Sequence, residues 1–159
     1  MKLKNLILEL ESKEAYEKFL KENSSSFFCA AFTILDLKNK TSQLQLDYFI
    51  PELNRIASFE HPFEQFRIYE DEVKEMKIQE ASPTVDIIDL ERFCKNILEE
   101  KEIKITPTKI IAILKENLWN ITCMDDFLGI IRIKINSSSG ELISIDKGSL
   151  IDFIGVKKS

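Results

Sequence analysis

With 159 residues the chain falls in the range of a single domain, and a domain of that size buries roughly two-thirds of its unfolded surface. A hydrophobic fraction of 44%, with four glycines and four prolines, excludes a disordered or low-complexity chain. The net charge is -5, from 22 basic and 27 acidic side chains interspersed along the chain, so no basic block exists to hold a phosphate backbone and nucleic acid is excluded as an expected partner.

Leu3, Leu6, Ile7 and Leu10 recur at i, i+3, i+4 and i+7, one stripe of a helix. Ala15, Tyr16, Phe19 and Leu20 start a second stripe, with Ser12 as the expected N-cap between the two and the polar run Asn23 to Ser26 as the end. From Phe27 to Leu37 apolar residues occupy both alternating sets, which predicts a central strand covered on both faces. Asp36 to Ser42 suits a hairpin loop. Leu44, Leu46 and Tyr48 then alternate with Gln43, Gln45 and Asp47 as in a half-buried strand that Pro51 closes. Ile56 to Glu60, Phe66 to Glu70 and Val73 to Gln79 read as three short antiparallel strands joined at His61-Pro62 and Glu70-Asp71. Their Glu and Lys content keeps helix open as an alternative.

Ser82-Pro83-Thr84 is the expected internal boundary, dividing a single α+β domain, 1–159, into possible sub-units 1–81 and 84–159. Behind Asp86 as cap, Ile87, Leu90, Cys94, Ile97 and Leu98 line one helical face, and the charge run from Glu99 to Lys104 ends it. Thr106-Pro107 reads as an N-cap with proline at the first helical position, and Ile110, Ile113, Leu114 and Leu118 give that predicted helix its stripe. Strands are predicted for Trp119 to Met124, Gly129 to Asn136 and Glu141 to Asp146, the last two joined by Ser137-Ser138-Ser139-Gly140 with glycine free to take positive φ. A short helix, Ser149 to Ile154, is expected at the end. The predicted fold is a two-layer α+β arrangement of helices on antiparallel meander sheet, and residues 12–60 and 106–146 share an order that a duplication would explain.

Several of these segments carry a family resemblance. The Thr106-Pro107 start, the strand Trp119-Asn120-Ile121-Thr122, and Ile130-Ile131-Arg132-Ile133-Lys134-Ile135 running into Ser139-Gly140-Glu141 and Leu142 resemble PepSY-like domains. Leu46-Asp47-Tyr48-Phe49-Ile50-Pro51 followed by Ile56-Ala57-Ser58-Phe59 looks like the leading part of small archaeal proteins that carry such a domain. The resemblance implies cystatin-like units, a helix packed on antiparallel sheet, and a non-catalytic role in binding or restraining partners. Members are often secreted or membrane-attached, and the resemblance carries no catalytic set onto these residues.

The chemistry-bearing residues point away from catalysis. His61 is the single histidine, lies between Glu60 and Pro62 at a predicted turn, and has no Ser or Cys motif nearby, so it reads as a turn residue. The cysteines Cys29, Cys94 and Cys123 are scattered in apolar stretches without a CxxC pair, which implies small buried hydrophobes in a reducing compartment and no zinc site. Glu60, Glu64, Glu70, Asp71, Glu72 and Glu75 lack the spacing of a calcium loop and read as a solvated face; Asp125-Asp126 reads as a loop between strands. Four arginines, Arg55, Arg67, Arg92 and Arg132, leave little scope for bidentate phosphate recognition, and no glycine-rich phosphate loop or nucleophile elbow occurs. Asn5, Glu9 and Glu11 interrupt any apolar signal core, and no run reaches the roughly 20 apolar residues of a membrane span, so a cytoplasmic address is expected.

Phe27, Phe28, Phe32, Phe59, Phe63 and Phe66 concentrate the aromatic surface. The resulting expectation is a non-enzymatic interaction module meeting a protein partner or a second copy of itself, with no cofactor, metal, nucleic acid or membrane. The alternative is an aromatic-lined pocket for a small ligand, or an unrecognised enzyme.

Overall fold

A computed structural model describes residues 1–149. The helix predicted at the end, Ser149 to Ile154, lies outside the described residues but for its first, Ser149, which closes a strand. The chain opens with two helices, α1 (Leu3–Glu11) and α2 (Glu14–Glu22). Leu3, Leu6, Ile7 and Leu10 of α1 and Phe19 of α2 are buried, as their spacing requires. Ser12 is not an N-cap: it closes α1, where its hydroxyl donates to Glu9 O at 2.6 Å, and Lys13 precedes α2 in extended conformation.

Four antiparallel strands follow: β1 (Phe27–Asp36), β2 (Thr41–Ile50), β3 (Arg55–Glu60) and β4 (Phe66–Ile68). Residues 69–80 then run without regular structure, where a strand was expected for Val73 to Gln79. The reason is position. This segment crosses one face of the sheet, so its backbone makes isolated bonds, Tyr69 N to Ile56 O, Val73 N to Asn54 O and Gln79 N to Phe28 O, in place of a ladder. Val73 and Met76 press onto Cys29, Ala30 and Phe49.

A 3-10 turn, Ile87–Asp89, leads into α3 (Leu90–Glu100). Asp86 caps it as predicted and also does more: its Oδ1 accepts from Ile87 N at 2.7 Å and from Leu3 N at 2.8 Å, so one buried carboxylate holds the starts of α1 and α3 together. The second meander comprises β5 (Lys109–Lys115), β6 (Leu118–Met124), β7 (Gly129–Asn136) and β8 (Leu142–Ser149). The helix expected after Thr106-Pro107 is a strand. Glu116 and Asn117 both take positive φ, 52° and 60°, a two-residue hairpin turn that fixes β5 antiparallel to β6. The predicted stripe of Ile110 and Leu114 also fits alternation, with Ala112 between them on the same buried face. Gly140 turns the β7–β8 hairpin at φ 79°, as expected.

All eight strands form one sheet in the order β4-β3-β2-β1-β5-β6-β7-β8. The fold is α+β in two layers, with the helices on one face over Leu46, Ile50, Phe59, Ile110, Leu114, Trp119, Ile131 and Ile133. Each half runs helix and then four strands, and their first strands, β1 and β5, pair at the centre. The second half's helix is α3, upstream of residue 106. Residues 79–85 stitch the halves: Gln79 Oε1 accepts from Asn117 N at 2.8 Å, and Trp119 Nε1 donates to Val85 O at 2.7 Å.

Candidate functional site on the open face of the sheet

Alternation along each strand sends one side chain set to the helices and the other to the opposite face. On that opposite face, residues 69–80 cover only the ends of β1, β2 and β3 that carry Cys29, Phe49 and Ile56. The rest of the face, including β5 to β7, has no covering element among the described residues.

Strand register builds this surface row by row. Glu60 pairs with Gln45, Gln45 with Phe32, Phe32 with Ile113, Ile113 with Asn120 and Asn120 with Lys134, so these six side chains share one row across the face. The neighbouring row reads Gln43, Ile34, Ile111, Thr122, Arg132 and Asp146. Phe32, Ile34, Ile111 and Ile113 therefore meet along the β1–β5 seam. The first three are half-buried, Ile113 is 41% exposed, and amides, hydroxyls and charges flank the seam on both sides. A shallow hollow of about 320 Å³ lies beside it, lined by Ile111, Ile113, Asn120, Thr122 and Arg132 among others.

Asp47 sits at the margin of the cover. Its Oδ1 accepts from Ser58 Oγ at 2.6 Å and from Gln45 Nε2 at 2.9 Å. Burial is the stronger influence and raises its pKa, while these two hydrogen bonds pull it back down. Cys29 Sγ donates to Asp47 O at 3.4 Å, and burial pushes that thiol up to about 12, so it stays protonated and unreactive at neutral pH.

On the helix side, His61 lies in a turn as expected, with a cis bond to Pro62, but the fold gives it a partner: Nε2 is 3.0 Å from Glu9 Oε2 on α1, and the ring stacks edge-on against Phe63. It borders a cleft of about 260 Å³ between α1 and α3, walled by Leu6, Leu35, Leu44, Ile87 and Ile88. The predicted acidic cluster is dispersed. Glu64 lines a larger, open hollow of about 750 Å³ with Glu14, Glu17, Lys18 and Lys21, and Glu70, Asp71, Glu72 and Glu75 are exposed on the cover. Asp125 is occupied by its turn, accepting from Phe127 N at 2.8 Å and Gly129 N at 2.7 Å, and Asp126 faces Lys38 Nζ at 2.7 Å. Among the described residues, no group of three His, Cys, Asp or Glu side chains is placed to hold a metal.

The phenylalanines separate. Phe28, Phe59, Phe63 and Phe66 belong to the helix-side core, Phe27 lies against Phe49 under the cover, and Phe32 stands on the open face. All three cysteines are buried and unpaired. Cys94 of α3 and Cys123 of β6 are hydrogen-bonded neighbours, and that contact, with burial, pushes the Cys94 thiol far up. Sequence reasoning did not find the seam. Its signal was present in Lys109 to Lys115, where isoleucines fall on both alternating sets, but a helical stripe fitted the same residues.

No helix among the described residues is long and apolar enough to cross a membrane. No known family model matches the chain, and no curated protein matches it. The PepSY-like resemblance thus rests on the short segments quoted for it, of which Thr106-Pro107 precedes a strand in place of a helix. Among solved structures, the chain matches a protein from Clostridium difficile 630 described as a candidate lipoprotein, at 12% identity and a TM-score of 0.47, over 85% of this chain and 91% of that one, a level of similarity that does not carry function across.

Proposed function

We propose that this chain is a non-catalytic protein-binding module that works through the open face of its sheet. The observation that carries the reading is the apolar seam Phe32, Ile34, Ile111 and Ile113 on a face that no element covers there among the described residues, ringed by Gln43, Gln45, Asn120, Thr122, Arg132 and Lys134. An apolar centre inside a polar rim is the anatomy of a protein contact. The kinship with PepSY-like binding domains and a cytoplasmic, reducing address belong to the same proposal, the latter supported by three buried thiols left unpaired.

A photo-crosslinking residue placed at Ile113, with a second at Lys18 on the helix side as control, tests the reading in cells. Protein adducts are expected from position 113 and not from position 18. Equal labelling from both, or none from 113, overturns it.

A second reading is favoured by one observation, the His61–Glu9 pair at the mouth of the apolar cleft between α1 and α3. There the module would hold a small apolar ligand with a polar end. The single histidine offers a clean probe: titration with a medium-chain fatty acid should move the His61 imidazole resonance, and an unmoved resonance removes this reading.

A further inference from the structure

We propose that the occupant of the open face is a second copy of this chain, related by a twofold axis that runs along the β1–β5 seam in the plane of contact. This rests on the reading of the open face as a protein contact and names the partner.

The argument is the order of side chains in one row. A twofold axis lying along the seam brings β1 of one copy over β5 of the other, β2 over β6 and β3 over β7. The row Glu60, Gln45, Phe32, Ile113, Asn120, Lys134 then meets itself reversed. Phe32 falls on Ile113, Gln45 on Asn120 and Glu60 on Lys134, each contact made twice. In the next row Ile34 falls on Ile111 and Gln43 on Thr122. An apolar pair, an amide pair and an opposite-charge pair thus fall in register without rearrangement, with the strands of the two sheets nearly parallel to one another as in aligned sheet packing.

The wider charge distribution has the same sense. The cover on the first half carries Glu70, Asp71, Glu72, Glu75 and Glu80 against Lys74 and Lys77, whereas the open face of the second half carries Lys109, Lys115, Arg132 and Lys134 against Asp146. The axis places each acidic cover towards the other copy's basic half, and the absence of a cover on that half among the described residues leaves room for it. The six strands that the axis superposes span about 24 Å at the usual spacing, and with a length of about 20 Å they offer roughly 480 Å² in projection, which is below the ~800 Å² per partner of a standard interface and suits a dimer of modest affinity.

Sedimentation equilibrium on the full chain is the test. Wild type should dimerise with a dissociation constant on the order of 10 μM or tighter. Ile113→Glu should weaken the dimer about 100-fold while leaving the far-ultraviolet dichroism unchanged. The charge pair supplies a check that does not depend on burying a charge. Glu60→Lys and Lys134→Glu alone should each weaken self-association about tenfold, and an equimolar mixture of the two single variants should associate as well as wild type, because each chain then faces its opposite. A strictly monomeric wild type at about 100 μM, or a mixture no tighter than the single variants, overturns the proposal. Crosslinking from position 113 separates this failure from that of the wider reading: adducts at twice the 18.5 kDa chain support the dimer, and adducts of another mass overturn it while the protein-binding reading stands.

Discussion

The two halves of the sheet share an element order and solve their packing differently. In the first, Tyr16 and Phe19 of α2 pack tilted or edge-on against Tyr48, Phe59 and Phe66 of the sheet, with Phe19 fully buried and its ring centroid 5.2 Å from those of both Phe59 and Phe66. In the second, a single longer helix lays Leu90, Cys94, Ile97 and Leu98 over an aliphatic sheet, with Trp119 as its one fully buried ring and Phe93 of the helix packed at the margin. Their far faces differ as well: one is partly roofed by residues 69–80, and the other has no cover among the described residues. The difference teaches that topology constrains the backbone and leaves each core, and each outer face, free to be specialised. A roofed face is structure, and a bare one is available for recognition.

The sharpest way to break that contrast is Phe19→Ala. Removing the ring at the centre of the aromatic cluster should cost about 3–5 kcal/mol of unfolding free energy, measured by urea denaturation. A cost below about 1 kcal/mol would mean that the first half does not depend on its rings, and the distinction between the two cores would go.

The roof is tested by chemistry at Cys29. Val73→Ser with Met76→Ser strips the apolar cover from that thiol, and its reaction with a disulfide reagent should quicken about tenfold, while Cys94 and Cys123, buried between α3 and the sheet, should not respond. If all three thiols quicken together, the cover is holding the whole fold and not one face.

The smallest effect concerns acid. Because burial raises the pKa of Asp47, the folded chain holds that proton more tightly than the unfolded one. Its contribution to stability is therefore complete below the ordinary value of 3.8 and declines as pH rises from there through the raised folded value. Asp47→Asn should remove this slope, so that the difference in denaturation midpoint between variant and wild type grows in the variant's favour from pH 4 towards neutrality and then levels off. A difference that is flat with pH would place Asp47 in water, outside the margin of the cover.

Much of this fold was legible from residue spacing. The stripes of α1 and α3, the central place of β1, the alternation of β2 and β7 and the Gly140 turn are local patterns, and each was readable locally, but the cover expected on both faces of β1 reaches only its Cys29 end on the second face. Lys109 to Lys115 was not, because Ile110 and Leu114 satisfy a helical repeat and a strand's alternation at once. What decides between them is the pair Glu116-Asn117 adopting positive φ without a glycine, together with pairing to β1, some 80 residues away in sequence. The candidate site was illegible for the same cause. Phe32 and Ile34 become neighbours of Ile111 and Ile113 only when β1 and β5 join, and no spacing within either segment announces it. His61 is a milder case: its turn was readable, whereas Glu9 reaches it only through the packing of α1.

The pairing of β1 with β5 also governs what would happen to a fragment. Cut at the connection and expressed alone, the first half would present ten residues of apolar β1, and the second half β5, as raw borders with a row of unanswered amides and carbonyls. Each piece would seek a substitute neighbour, its own kind or its missing complement. Mixing the two should therefore rescue solubility that neither has by itself, and shortening this chain from the middle would carry a penalty that trimming its rim would not.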